Sequence, residues 1–159
     1  MNRNLCTLKK SEYKELFTGM VSEIDKICIY LIIYDFDFDP DIITEKTELK
    51  PYKTEKKGLK HKRKYGMEEY ISESNYWEIE YKHENVQSCE EAINGFMETI
   101  INPHKEYFRE ILKTANGKLL FVYYTYRSTN MGIWFEKDFV NILSELNLSI
   151  DLDLYCLYE

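Results

Sequence analysis

The segment 146-LNLSIDLDLYCLYE-159 decides the fold, because its apolar and polar side chains alternate as they do in a β-strand. Side chains in a strand point alternately to the two faces of a sheet, so one face carries Ile150, Leu152, Leu154, Cys156 and Tyr158. The other face carries Asp151, Asp153 and Tyr155. The pattern predicts a core strand with a buried apolar face. We expect such a strand at the end of the chain to tolerate truncation poorly.

The residues before this strand predict a helix and a strand pair. Apolar side chains recur at helical spacing within residues 136–146, at Phe139, Ile142, Leu143 and Leu146. Residues 118–127 (KLLFVYYTYR) are typical of a strand, the next five of a turn, and residues 133–135 of a short returning strand. The last part of the chain is thus predicted as β-β-α-β.

Two helices in tandem are predicted upstream of that unit. Ser88 and Glu91 form a capping box, in which a serine and a glutamate three residues later satisfy free backbone groups of a starting helix. Asn102-Pro103 restarts a second helix, and Asn116-Gly117 ends it. Their buried stripes contain Ala92, Ile93, Phe96, Met97, Ile100, Ile101, Tyr107, Phe108, Ile111 and Leu112.

The first half of the chain begins with a strand over residues 27–38 (ICIYLIIYDFDF), apolar on both faces and then alternating with aspartates. Asp39-Pro40 predicts the start of a short helix to about residue 49, since aspartate caps helices and proline suits their first turn. Residues 53–64 (KTEKKGLKHKRK) are predicted as a basic loop. Residues 70–83 predict a further strand.

The element order β-α-β-α-α-β-β-α-β lacks regular βαβ alternation and predicts an α+β fold. We expect a two-layer sandwich, in which helices cover mainly one face of a mixed, mostly antiparallel sheet. Residues 1–25 are predicted as a helical extension with Tyr13, Leu16, Phe17 and Met20 at helical spacing, and residues 26–159 as a single domain.

Composition places the chain among soluble globular proteins. Its 159 residues are 44% hydrophobic, enough for one domain with its own core. The four cysteines form no C-x-x-C pair, which is typical of a reducing compartment. The N-terminus has no apolar run followed by a cleavage site, and residues 27–34 are too few to span a bilayer. We therefore expect a cytoplasmic protein without membrane contact.

Three segments resemble, in the same order, the bacterial family called domain of unknown function 4279 (DUF4279). They are YDFDFDPDIITEKTELKP, the tryptophan-centred YWEIEY, and ILSELNLSIDLDLYCLY. The resemblance runs from about residue 27 to the end of the chain. It implies a small, fast-diverging bacterial protein, similar in size and character to the immunity proteins that accompany secreted toxins. It supplies no catalytic residues.

Candidate chemistry in the sequence is sparse. Asp35, Asp37, Asp39 and Asp41 alternate, but Pro40 and Lys46 stand where a calcium-binding EF-hand loop needs glycine and glutamate. His61, His83 and His104 lack metal-ligand spacing, and no nucleophile or phosphate-loop motif occurs. We therefore predict no catalytic residue, no metal and no cofactor, and we favour a protein that is not an enzyme.

The leading hypothesis is a protein-binding module such as an immunity-type antitoxin. Its net charge is −7, which favours a partner with a basic surface and disfavours generic nucleic-acid binding. If the first and last strands were neighbours, their aspartates would cluster. The residues predicted to contact a toxin are Asp35, Asp37, Asp151, Asp153, Tyr155 and Trp77. Trp77 and Trp134 are also typical core residues, and a tryptophan that proved exposed would be the first place to look for a partner.

Two alternatives remain open. A nucleic-acid-associated module would use the basic loop at Lys57, Lys60, Lys62 and Arg63, because clustered cations displace counterions from a polyanion. A small-ligand sensor or enzyme would use a pocket between the helices and the sheet.

Overall fold

The structure, a computed structural model, describes residues 24–62, 69–126 and 132–157, with the side chain of Lys62 excepted. The helix predicted within residues 1–25 falls on residues outside these ranges. The strands are β1 (Lys26–Tyr34), β2 (Lys53–Glu55), β3 (Lys60–Lys62), β4 (Glu69–Ile71), β5 (Tyr76–Glu84), β6 (Asn116–Thr125) and β7 (Leu148–Cys156). The helices are α1 (Asp41–Thr47), α2 (Cys89–Phe96), α3 (Lys105–Ile111) and α4 (Lys137–Glu145). None in the described ranges has the length and hydrophobicity to cross a bilayer.

Five of the strands form one mixed sheet in the order β2-β5-β1-β6-β7, and β3 and β4 form a separate pair. All neighbours in the large sheet are antiparallel except β6 and β7. The parallel pair follows from its connection, because α4 lies between the two strands in the chain and carries it back to the same end of the sheet. The α+β fold class predicted from the sequence is confirmed.

The central strand β1 shows why the helices lie on one side. Its alternate residues Ile27, Ile29, Leu31 and Ile33 join the hydrophobic core, together with residues of every helix: Ile43, Phe96, Phe108 and Phe139. Cys28 and Ile32 point to the opposite face and stand outside that core, although they are also buried. The helices therefore pack against one face of the sheet, and the other is hereafter called the helix-free face.

The tandem helices form a nearly continuous unit. Ser88 Oγ accepts a hydrogen bond from the backbone N–H of Glu91 at 3.3 Å, as the capping box predicts. A π-helical turn (Met97–Ile101) and a 3₁₀ turn (Asn102–His104) join α2 to α3. The change of helical pitch coincides with Pro103, which lacks a backbone donor. The second helix ends at residue 111, earlier than predicted, because Asn116 already belongs to β6.

Three other boundaries differ from the prediction. The strand β1 ends at residue 34, because Asp35 adopts φ 59° and turns the chain. The predicted loop 53–64 contains β2 and β3, and the predicted strand 70–83 is divided by residues 72–75. Asn75 explains that division, since its side-chain amide donates to the carbonyls of Phe36 and Phe38. The returning strand predicted at 133–135 is absent from the described structure, which has no regular element there.

The terminal strand is the main correction. It is present as β7, but it lies at the sheet edge and its apolar face is not buried. The exposed fraction rises along that face from 9% at Leu148 to 36% at Ile150, 42% at Leu152 and 59% at Leu154. The reason is that, among the described residues, the helix layer does not extend over the outer part of the edge strand. Alternation in a sequence identifies a strand and its faces, but not what covers them.

The two tryptophans provide a test of this packing. Trp77 is fully buried and its Nε1 donates to Thr44 Oγ1 at 3.1 Å, whereas Trp134 is 64% exposed. We expect Trp77→Ala to lower the free energy of unfolding by about 3–5 kcal/mol through the cavity and the lost hydrogen bond. Trp134→Ala should change it by less than about 1 kcal/mol. Urea denaturation followed by circular dichroism measures both, and equal losses would contradict the assignment.

Candidate functional site

The aspartates predicted to form one partner surface lie in two places. Asp35 and Asp37 are exposed just after β1, and Asn116 Nδ2 donates to Asp35 at 3.1 Å. Asp151 and Asp153 are exposed in the middle of β7. Because β6 separates β1 from β7, the first and last strands are not neighbours and the expected clustering does not arise from their pairing.

The next two aspartates bind a lysine. Asp39 Oδ1 accepts the backbone N–H of Asp41 at 3.0 Å, as expected of a helix cap. Lys56 Nζ lies 2.9 Å from Asp39 and 2.7 Å from Asp41. These contacts lower the pKa of Asp39, through the Asp41 backbone donor first and Lys56 second. Both residues thus have a structural role at the start of α1.

Trp77 is enclosed in this structure, which argues against its predicted role as a partner-binding residue. Its side chain has no exposed surface and packs beside Phe108 at 6.5 Å between ring centroids. It stands on the core face of β5, opposite Ile33 of β1. Alternation in the sequence assigns this tryptophan to one face of its strand. It does not predict which face the helices cover.

The helix-free face carries hydrogen-bonded pairs of tyrosines and carboxylates. Tyr30 donates to Glu80 and Tyr76 donates to Glu78, both at 2.6 Å. Burial raises the pKa of Tyr30 and of Tyr76, and the carboxylate each one contacts raises it further. The hydroxyls therefore stay protonated and act as donors throughout the physiological range. Cys28 and Ile32 are buried on this face, and Tyr30 and Tyr124 lie near Cys28.

The same face ends in an aromatic stack at β7. Tyr124 and Tyr155 lie parallel with ring centroids 5.0 Å apart, and Lys26 Nζ stands 4.6 Å from the Tyr124 centroid. Burial raises the pKa of Tyr124 to about 12, and nearby groups, Asp153 among them, contribute to that rise. Tyr155 therefore has a structural partner, and the adjacent Asp153 remains exposed.

Two buried glutamates on this face have pKa values that are shifted in opposite directions. Burial raises the pKa of Glu78, and the Tyr76 hydroxyl and Lys53 only partly offset it. Burial also acts to raise the pKa of Glu55, but donors from Lys53, Tyr70 and Ser72 outweigh it and lower that pKa. Lys53 Nζ lies 2.5 Å from Glu55, and Ser72 Oγ lies 2.9 Å from it.

The basic segment is partly paired with acidic residues. Lys60 Nζ lies 3.6 Å from Glu69. The backbone N–H of Lys57 donates to Asn75 Oδ1, and its side chain is exposed. The side chain of Lys62 and the whole of Arg63 lie outside the described part of the chain. With Lys53 and Lys56 also bound to carboxylates, polyanion binding by this segment stays a prediction.

A groove on the helix side contains Trp134, which the predicted site omitted. Its volume is about 260 Å³, and its floor is apolar, formed by Ile93, Met97, Phe139 and Ile142. Three exposed carboxylates line its rim: Glu90, Glu136 and Asp138. Asn94 and Asn102 complete the described lining, which contains no cationic side chain. The only sequence signal for this groove was the second tryptophan, placed just before an acidic helix start.

The described residues include two buried cysteines but no group of side chains suited to bind a metal. Burial raises the pKa of Cys28 and of Cys89, which keeps both as thiols at neutral pH. Within the described ranges, no three histidine, cysteine or carboxylate side chains are grouped as metal ligands. Polar contacts converge instead on the tyrosine and carboxylate pairs, which are suited to holding a surface in a fixed shape.

The two glutamates predict opposite effects of charge removal. Because the pKa of Glu55 is lowered in the fold, its ionised form stabilises the protein above its ordinary value of 4.5, and this stability is lost as pH falls through the folded pKa. Glu55→Gln should therefore cost about 1–3 kcal/mol at pH 7. The pKa of Glu78 is raised in the fold, so the protein loses stability as pH rises above 4.5 and this carboxyl becomes ionised. Glu78→Gln should therefore stabilise the fold at pH 7.

Urea denaturation at pH 7 and pH 4 measures both variants. The Glu78→Gln difference should shrink at pH 4, because the raised pKa of Glu78 lies above that pH. The Glu55→Gln difference should shrink only as pH falls from 4.5 toward the lowered pKa of Glu55. A loss of stability in Glu78→Gln at pH 7 would contradict the electrostatic assignment.

Comparison with known proteins adds one finding. No curated protein and no solved structure matches the chain. The family model described as domain of unknown function (DUF4279) matches residues 25–157, a range that begins just before β1 and ends just after β7. The chain therefore belongs to the DUF4279 family.

Proposed function

We propose that this protein is a non-catalytic protein-binding module, most specifically an immunity-type protein that occupies a bacterial toxin. The observation that carries the proposal is the groove at Trp134. Tryptophan is among the residues most enriched at the energetic centre of protein interfaces, and here it is 64% exposed beside an apolar floor.

The charge of the groove supports a partner with a basic surface. An apolar floor beside Glu90, Glu136 and Asp138 favours a lysine or arginine flanked by an apolar side chain. The tryptophan ring adds a face on which a cation can stack. Enzymes that act on nucleic acids carry such basic rims around their active sites, so a module of this kind would block the rim by occupying it.

The other exposed carboxylates also favour a partner with a cationic surface. Asp35, Asp37, Asp151 and Asp153 are exposed at other places on the sheet, and the whole chain has a net charge of −7. Such a field accelerates association with a cationic protein and weakens as salt rises. We assign these four residues to steering and the Trp134 groove to affinity.

The test is co-expression with the product of the gene next to its own in the native genome, if that product is toxic. The chain should restore growth and bind the purified toxin by calorimetry. Trp134→Ala should weaken binding at least tenfold, and the double variant Glu136→Lys and Asp138→Lys more than that.

Matched controls separate the groove from surface changes in general. Tyr52, 48% exposed, serves as the control aromatic, and the exposed Glu73 as the control charge. Tyr52→Ala and Glu73→Lys should bind within about twofold of the unmodified chain. Because Asp138 stands in the first turn of α4, the stability of each variant is measured as well. Equal binding by Trp134→Ala and the unmodified chain would refute the proposal.

A further inference from the structure

The edge strand β7 has one side on which no described strand pairs with it. It is nine residues long and, within the described ranges, has a strand neighbour only on its β6 side. The groups on its other side are backbone donors and acceptors of the kind that natural edge strands usually cover or interrupt. Proline and glycine, which would interrupt it, do not occur in this strand.

The apolar face of the strand is open toward one end. Leu148 is buried beside α4, but exposure rises through Ile150 and Leu152 to 59% at Leu154. The residues paired with them in β6, Leu119, Phe121 and Tyr123, are buried. The core thus covers β6 but reaches only Leu148 in β7, so an added strand would extend a surface that is already apolar.

The opposite face of the strand is acidic. Asp151 and Asp153 are exposed there, and β7 contains no lysine or arginine. Among the described residues, Lys118 of β6 forms an ion pair there, with its Nζ 3.7 Å from Asp151. A strand added outside β7 would therefore place alternate side chains beside one or both carboxylates.

These aspartates decide between a second copy and a different partner. If two β7 strands paired antiparallel about Leu152, Asp151 of one would face Asp153 of the other, and a parallel pair in register would place identical aspartates side by side. Like charges opposite each other destabilise a strand pair. Self-pairing is therefore disfavoured, and a basic strand is favoured.

We propose that β7 accepts an extended segment of a partner protein as an additional strand, whose residues alternate between apolar and Lys or Arg. Main-chain hydrogen bonds supply the alignment in this mode of recognition, and side chains supply the selectivity. Apolar residues extend the core face beside Leu152 and Leu154, and cations neutralise Asp151 and Asp153. This surface is separate from the Trp134 groove, and either can fail without the other.

The probe is a capped nine-residue peptide of alternating valine and lysine, labelled for fluorescence anisotropy with the full-length chain. A peptide with glutamate in place of lysine and a lysine peptide of the same composition without alternation are the controls. The alternating lysine peptide should bind at least tenfold more tightly than either control. In the double variant Asp151→Lys and Asp153→Lys, the preference should reverse toward the glutamate peptide.

General attraction to an acidic protein is excluded by a matched variant, Glu73→Lys with Glu98→Lys, which makes the same change in net charge at two exposed glutamates elsewhere. It should retain the lysine-peptide preference, as should Trp134→Ala. Hydrogen exchange should show the peptide slowing amides of residues 148–156.

Three results would overturn the proposal. The first is equal binding of the alternating and non-alternating lysine peptides. The second is the same loss of binding in the matched variant as in the β7 variant. The third is a dimer of the unmodified chain, detected by sedimentation, whose formation slows the same amides, because the edge would then belong to a second copy.

Discussion

The structure depends on the alternation of side chains in β1, the central strand of the large sheet. Ile27, Ile29, Leu31 and Ile33 enter the core under the helices, while Cys28 and Ile32 are buried on the helix-free face. A shift of one residue in its pairing would exchange these two sets, bring Tyr30 into the apolar core and break its hydrogen bond to Glu80. The registers with β5 and β6 are therefore fixed from both faces at once.

The two faces of this sheet serve different purposes because different groups cover them. Helices seal one face with aliphatic and aromatic side chains. The other carries tyrosines, two of which donate their hydroxyls to glutamates, on the same face as the buried Cys28 and Ile32. This second arrangement keeps ionisable groups such as Glu55 and Glu78 within the fold, where their charges affect stability.

Local patterns in the sequence predicted the parts of the fold that depend on local physics. Ser88 and Asp39 act at helix starts as their chemistry requires, and the alternation of β7 and the helical stripe of α4 were recognised from spacing alone. The short strands β2 and β3 were missed because a run of lysines gives no alternation of hydrophobicity. Asp35 ended β1 early through a backbone angle that composition does not express.

The candidate site was less predictable, because it depends on which strand faces the helices and which lies at the edge. Trp77 and Trp134 look alike in sequence, yet one is enclosed and the other lines a groove formed by segments about 40 residues apart. The prediction that the apolar face of β7 is buried was wrong for the same reason. Pairing partners and layer boundaries are long-range properties, and the resemblance to a family without assigned function did not supply them.

The position of β1 also has a consequence for synthesis of the chain on the ribosome. This strand emerges early, but Glu80, which binds Tyr30, follows 50 residues later, and Asn116, which binds Asp35, follows 81 residues later. The strand β1 is apolar on both faces and is synthesised before β5 and β6, the strands that pair with it. Unpaired apolar strands of this kind are prone to aggregate. Until β6 has left the ribosome, β1 lacks one of its two strand neighbours and its apolar side chains are incompletely covered.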